Sequence, residues 1–399
     1  MDPVRLASRD GRVALTVVPY GLTVHALEIY HAGVVHDVLV GPEDPAAHRV
    51  LGRRFFGSIV GRYANRLPAG RSSGAGVEVD LAEWGGAGIS HHGGPARPGE
   101  PCAGLEQRGP LDTAVWTQAE PTLFGAEDVA GADAHATFAL ESPAGDQGYP
   151  GRVRIEALFT VRDCRRVVVA YRARLLDGDK TPLNLAQHWG FNLAASDPAF
   201  RGAPMDEHTL QLGPRGANLA RLVLDERGVP TGALAPCAAW PAHDWGAGKR
   251  VGEAMPPGGY DDFYVWGAKC VPAGGAHVAT LCGPTGLALR FYSNQAGVQL
   301  YTANSTPTAG PRKRVHRPAG GPELDGARCA AFLEFSAPHA TFLCPSLWDA
   351  AGGDTVLRAG EVYDSWVAVD IELYGTRLWD GPDYKQVRKV NVGNKKQGT

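Results

Sequence analysis

The sequence predicts an all-β, mostly antiparallel protein, built as a sandwich or a barrel. Apolar residues recur with period two in several separate segments, and frequent glycine and proline (52 and 30 of 399 residues) punctuate those segments. Convincing long amphipathic helices are scarce. Alternation of this kind presents one face of each strand to a core and the other to a polar surrounding.

Taken along the chain, the first strands are expected at Val13–Val18 and Thr23–Tyr30. Tyr149-Pro150-Gly151 reads as a tight turn entering RVRIEALFTV. There Val153, Ile155, Ala157, Phe159 and Val161 share one face, opposite Arg152, Arg154, Glu156 and Thr160. In the next segment Val167, Val169, Tyr171, Ala173 and Leu175 align against Arg166, Arg172 and Arg174. Leu287, Leu289 and Phe291 repeat the pattern. So do Tyr363, Val367, Val369, Ile371 and Leu373, set against Asp364, Asp370 and Glu372. Two stretches read as surface additions: the acidic, Gly/Ala-rich Gly125–Ala136, and Pro307–Gly326, whose PRKRVHRP suggests a long solvated basic loop. Residues 1–375 read as one domain, and 376–399 as a polar extension that frays.

Composition narrows the function. Hydrophobic content of 44% and charge of 20% fit a globular chain with a large core. A net charge of −3 excludes general nucleic-acid binding, which needs a concentrated basic surface. No apolar run approaches the roughly 18 residues of a membrane span, and the N-terminal stretch lacks the pattern of a signal peptide. Seven cysteines, an odd number without CxxC, imply reduced thiols and a cytoplasmic setting. No HExxH or HxxxH pattern suggests a metal, and no Walker-type or GxGxxG loop suggests a nucleotide, so no cofactor is expected. GRSSG at Gly70–Gly74 matches GxSxG, but in a Gly/Ser-rich loop with no helix pattern after it, and is read as chance.

Five stretches carry the candidate chemistry: FFGSIVGRYANR (Phe55–Arg66), SHHGG (Ser90–Gly94), GYPG (Gly148–Gly151), NLAQHWGFNL (Asn184–Leu193) and AAFLEFSAPHA (Ala330–Ala340). Glu334, between Leu333 and Phe335, is costly to bury unless it is used. It is either a general base or an outward-facing strand carboxylate. His188 titrates near neutrality and is either a proton donor or a core histidine. Arg66 offers a planar fork of donors, and Asn65 a donor and an acceptor together. His92 precedes Gly93-Gly94, where absent side chains permit close approach. Asp261 and Asp262 are adjacent on one strand, so only one can face a given side.

In this order the stretches resemble the galactose mutarotase (aldose 1-epimerase) family, from about Arg12 to Leu373. The resemblance implies a β-supersandwich with a sugar site in an open cleft on one sheet, and no cofactor. It implies Glu334 as general base and His188 as general acid, with Asn65, Arg66, His92, Asp261 and Gln299 holding substrate. The family's LHGG pattern selects His92 and puts His91 at the preceding apolar position; its Tyr-Asp pattern selects Asp261. AGVQLYTAN matches the family run around Gln299. Departures occur at Gln187, Trp189, Gly190 and Phe335.

The implied activity is interconversion of the α and β anomers of free hexoses such as galactose and glucose. The partner is a small sugar, and the oligomeric state is left open. One alternative is a hexose-6-phosphate 1-epimerase that uses Arg312, Lys313, Arg314, His316 and Arg317. Another is a noncatalytic carbohydrate-binding protein on the same fold. A glycosidase would need two suitably spaced carboxylates, for which Asp261 with Glu334 is the candidate pair.

Overall fold

The period-two segments assemble into three large sheets. A computed structural model describes residues 2–31, 33–96, 105–272, 274–305, 312–319 and 326–373; the expected 376–399 extension lies outside the described residues. The first sheet has four strands in chain order: Val4–Ala7, Val13–Val18, Thr23–His31 and Val34–Asp37. The second has nine. Its centre runs Ala132–Ser142, Val153–Arg162, Arg166–Leu175, Tyr363–Leu373, Leu287–Ser293 and Ala276–Cys282. The third has six, in the order Gly190–Phe191, Ala331–Ser336, Gly297–Tyr301, Asp261–Val265, Ala220–Leu224 and Pro230–Pro236. All their ladders are antiparallel. The α-helices among the described residues have four residues each.

One apolar core is shared by all three sheets. Leu15 and Leu27 come from the first, Phe159, Val169 and Phe291 from the second, and Leu333 and Phe335 from the third. The Phe335 ring stacks on Phe291 with centroids 5.4 Å apart. With Leu333 and Phe335 both pointing into this core, the pleat sends Glu334 to the opposite face of its sheet.

The polar residues Glu156 and Thr160, opposite the apolar face of Val153–Arg162 as expected, are themselves buried. Residues 122–123 fold over Glu156, which accepts hydrogen bonds from the Thr122 and Leu123 amides at 2.9 and 2.8 Å and from Arg154 Nε at 2.8 Å. Burial alone would raise its pKa, but these bonds hold it below the usual carboxylate value. Several expectations are corrected. Gly125–Ala136 is not wholly a surface addition, because the strand Ala132–Ser142 begins within it. GRSSG is a strand, not a loop; it pairs with Val77–Leu81, and no helix follows it.

The basic loop differs most from expectation. Residues 312–319 form an anchored strap, with Arg312, Lys313 and His316 buried. Lys313 Nζ lies 2.6 Å from Asp37 Oδ2 and donates to the carbonyls of His25 at 2.6 Å and Leu39 at 2.9 Å. Those partners use all three of its donors. Arg314 pairs with Glu43 at 2.8 Å. Charges written as a cluster in the sequence are therefore dispersed into structural contacts.

Arg62 of GRYANR is likewise structural. Its buried guanidinium donates to the carbonyls of Ser142, Pro143, Pro150 and Gly151, clamping the GYPG turn. Six cysteines among the described residues are free thiols. Among the described residues, no helix is long and apolar enough to cross a membrane.

Candidate active site

Glu334 sits on the floor of an open cleft of about 850 Å³, a volume that includes solvent at its mouth. The cleft is lined by Arg53, Arg54, Phe55, Phe56, Asn65, Arg66, His91, His92, His188, Asp261, Tyr301, Ser305, Phe332 and Glu334. Three strands of the six-stranded sheet supply its floor. Glu334 is directly opposite Gln299, and Phe263 is opposite Gln299 on the next strand, so Asp261 is the diagonal neighbour of Gln299.

His188 arrives from a crossover. Ala186–Gln187 pairs with Ile59–Val60, and two residues later Gly190–Phe191 pairs with Ala331–Phe332. The backbone of His188 donates to Ser58 O at 2.8 Å and accepts from Gly57 N at 2.9 Å, tying it to the FFGS stretch. Its Nε2 lies 3.2 Å from Glu334 Oε1, and both side chains are buried. Glu334 Oε2 and His188 Nδ1 have no hydrogen-bond partner among the described residues.

Burial drives both groups toward their neutral forms. It lifts Glu334 well above the ordinary carboxylate pKa; Asp261 adds to the rise and Arg66 opposes it. It lowers His188 to about 4. The Phe55 and Phe332 rings pack on the imidazole at 5.5 and 4.8 Å between centroids and keep water from it. A neutral acid beside a neutral imidazole holds the same proton inventory as a carboxylate beside an imidazolium. The couple can therefore pass a proton either way without changing its net charge.

His92 completes the group. Asn65 N–H donates to His92 Nδ1 at 3.1 Å, and His92 N–H returns a bond to Asn65 O at 3.0 Å. Burial holds His92 well below the ordinary histidine pKa, so the neutral ring that accepts at Nδ1 carries its proton on Nε2. Ligand atoms of His92, His188 and Glu334 all lie within 4.8 Å of one another, close enough to surround a cation. A ring whose Nδ1 is occupied and whose Nε2 is protonated has no lone pair to give a metal. The trio suits proton exchange better.

Local backbone strain surrounds this group. Phe55, Asn65 and His92 all have positive φ, at 57°, 63° and 47°, a region that costs non-glycine residues of order 1–3 kcal/mol each. Gly93 is required beside them, because a Cβ there would lie 1.9 Å from Gly61 O. His91 lines the cleft too, half-buried against Trp84 and Phe55.

Asp261 and Asp262 separate as alternation requires. Asp261 enters the cleft, with Arg66 Nη2 3.4 Å away and Gln299 Nε2 donating at 2.7 Å. Asp262 turns away and pairs with Arg221 at 2.9 Å. Gln299 is not among the lining residues; buried beneath Asp261, it spends its amide on that carboxylate. Asn65 Oδ1 accepts from the Arg66 backbone at 2.9 Å.

The departures from the family pattern have structural partners. Gln187 faces away from the cleft, bonded to the Tyr171 hydroxyl and to the carbonyls of Gly57 and Leu22, and so tethers FFGS to the His188 strand. Trp189 donates to Leu333 O at 3.0 Å inside the core. A Cβ on Gly190 would lie 2.7 Å from the Phe332 ring. Sequence reasoning missed the aromatic walls and the buried Arg53–Asp112 pair, whose Nη2 and Oδ1 are 2.6 Å apart. The only signal for Phe55 was its place at the head of a motif, and Arg53 had none.

Comparison with known proteins agrees with this architecture. The aldose 1-epimerase family pattern matches residues 4–370. The galactose mutarotase of Bos taurus is 29% identical over 308 residues, covering 74% of this chain and 76% of that protein. The aldose 1-epimerase of Escherichia coli (strain K12) is 27% identical over 383 residues, covering 91% and 94%. Among solved structures, an aldose epimerase homologue from C. elegans superposes with a TM-score of 0.71 at 19% identity, covering 93% of this chain and 99% of that one. A galactose 1-epimerase from Lactobacillus acidophilus gives 0.66 at 20% identity, covering 92% of each chain. These two establish the galactose mutarotase-like β-supersandwich. With a family pattern spanning nearly its whole length, the chain belongs to the aldose 1-epimerase family of isomerases.

Proposed function

We propose that the protein interconverts the α and β anomers of free hexoses, galactose and glucose among them, by acid/base opening and reclosure of the ring. The observation that carries this reading is the buried Glu334–His188 contact at the floor of an open polar cleft. Opening starts from the ionised form of the couple. Glu334 takes the proton of the anomeric hydroxyl while His188 Nε2 gives its proton to the ring oxygen, and the bond between that oxygen and the anomeric carbon breaks. The aldehyde end turns about the adjacent carbon–carbon bond. Reclosure runs in reverse: the former ring oxygen attacks the other carbonyl face, returning its proton to His188, and Glu334 reprotonates the anomeric oxygen. No proton is gained or lost over the cycle.

Asp261 accepts from sugar hydroxyls, held in place by Gln299, while Arg66 and His92 Nε2 donate to sugar oxygens. Asn65 positions both of its neighbours. The hexose-6-phosphate reading loses its motive, because Lys313 is enclosed by Asp37 and backbone carbonyls and Arg314 is paired with Glu43. A purely binding role does not require a buried carboxylate next to a buried imidazole.

Polarimetry on freshly dissolved α-D-galactose and α-D-glucose tests the reading. Acceleration of the approach to equilibrium supports it. Sugar binding without any acceleration would leave a noncatalytic carbohydrate-binding protein.

A further inference from the structure

His92, Gly93 and Gly94 have three successive positive φ values, 47°, 84° and 110°. A turn of this kind persists only where its surroundings fix it, and the side chain of His92 disfavours it. One guanidinium supplies the restraint. Arg53 Nη2 donates to His92 O at 3.3 Å and Nη1 donates to Gly94 O at 2.6 Å, so a single planar fork spans both ends of the turn. Two further bonds go to Asp112, from Nε and from Nη2, each at 2.6 Å. Both side chains are buried. Four of the five guanidinium N–H groups are thus committed to protein acceptors, which leaves little for a ligand. The guanidinium carbon also lies 4.9 Å from the Phe55 ring centroid and 4.4 Å from that of Trp84. Phe55 in turn packs on the His92 imidazole, with centroids 4.7 Å apart. Arg53 therefore holds His92 both through its carbonyl and, by way of Phe55, through its ring.

From this geometry we infer that Arg53, seated on Asp112, is a positioning residue for anomer interconversion: it fixes the turn so that His92 Nε2 meets the sugar in one orientation. The inference rests on the reading of His92 as a sugar-holding donor given above. Neither Arg53 nor Asp112 touches a reacting atom in this scheme. Asp112 holds the fork from one side, and the fork holds the turn from the other. Charge alone does not do this. A lysine ammonium is a compact point charge, whereas the planar guanidinium reaches the carboxylate and both carbonyls at once.

A double-mutant cycle on galactose mutarotation tests this. Arg53→Met combined with Asp112→Leu removes the clamp without stranding a buried charge, an exchange that often leaves stability level. Measured against wild type, the paired change should lower kcat/KM by about tenfold or more. Measured against His92→Ala, it should lower kcat/KM by about twofold or less, because the clamp then has nothing to position. Equal losses in the two backgrounds, or no loss in either, overturn the inference. Arg53→Lys keeps the ion pair and stays informative if the paired variant does not fold. It should melt close to wild type yet lose most of the same rate; a full wild-type rate would show that charge suffices and would also overturn the inference. If wild type does not accelerate galactose, the anomer-interconverting reading fails separately. Histidine-selective ¹⁵N NMR then decides the clamp without any sugar. His92 should be a single Nε2–H tautomer in wild type and a mixture of tautomers in Arg53→Lys; identical His92 signals in the two proteins remove the clamp.

Discussion

His188 Nε2 and Glu334 Oε1 lie 3.2 Å apart, although 146 positions separate them in the chain. The contact exists because Gly190 pairs with Phe332, which brings the end of the histidine crossover alongside the glutamate strand. Both groups are buried, yet one oxygen of the carboxylate is unpartnered among the described residues. A buried acceptor without a partner is costly, which favours a ligand hydroxyl at that position.

Glu334→Gln and His188→Asn should each lower kcat by about 10²–10⁴-fold, the usual worth of general acid or base assistance. Both substitutions preserve approximate volume, so circular dichroism and thermal melting should stay close to wild type. A folded variant relaxing galactose at the wild-type rate would remove that residue from the mechanism.

The pH profile should be broad and bell-shaped. On the acid side, the couple gains a second proton near the depressed pKa of His188, about 4, and the base is lost. On the alkaline side, the shared proton leaves at the raised pKa of Glu334, well above 4.5, and the acid is lost. Measured kcat/KM should therefore hold level well below pH 6.5. A fall centred near 6.5 would mean that His188 titrates like a solvated imidazole.

Stability should decline over the same acid range for a related reason. Burial depresses His25, His48, His208 and His339 to about 3 and His316 to about 4. Between pH 6.5 and these values the unfolded chain binds protons that the folded one refuses, so unfolding free energy falls as pH falls. Denaturant midpoints at pH 7, 6, 5 and 4 check this; a flat series would contradict the burial.

Asp261→Ala should raise KM for galactose about tenfold or more, since it removes an acceptor and leaves Gln299 and Arg66 unpaired. Asp262→Ala breaks only its half-exposed pair with Arg221 and should change KM less than twofold. Equal effects would show that the two faces have been assigned wrongly.

Lys313→Met should cost about 3–5 kcal/mol of stability, because it leaves Asp37 buried without its cation. Arg314→Ser, at an exposed pair, should cost under about 1 kcal/mol. Urea denaturation of the two variants distinguishes an anchored strap from a solvated loop, for which the two losses would be equally small.

Strand positions and faces were legible in the residues themselves. Val13–Val18 forms as expected, and Val153, Ile155, Ala157, Phe159 and Val161 are all buried, because alternation is a local property of the pleat. The same rule separated Asp261 from Asp262, and the order of the motifs carried the family resemblance. What covers a strand's second face is not local. Nothing near Glu156 in sequence indicates that residues 122–123 will cap it. Nor does PRKRVHRP indicate that its lysine will meet Asp37, 276 positions earlier. The Glu334–His188 contact, the depressed and raised pKa values and the placing of Gln299 beneath Asp261 all depend on distances and desolvation between segments remote in the chain. Those quantities come into being only when the sheets pack together, so tertiary structure alone decided them.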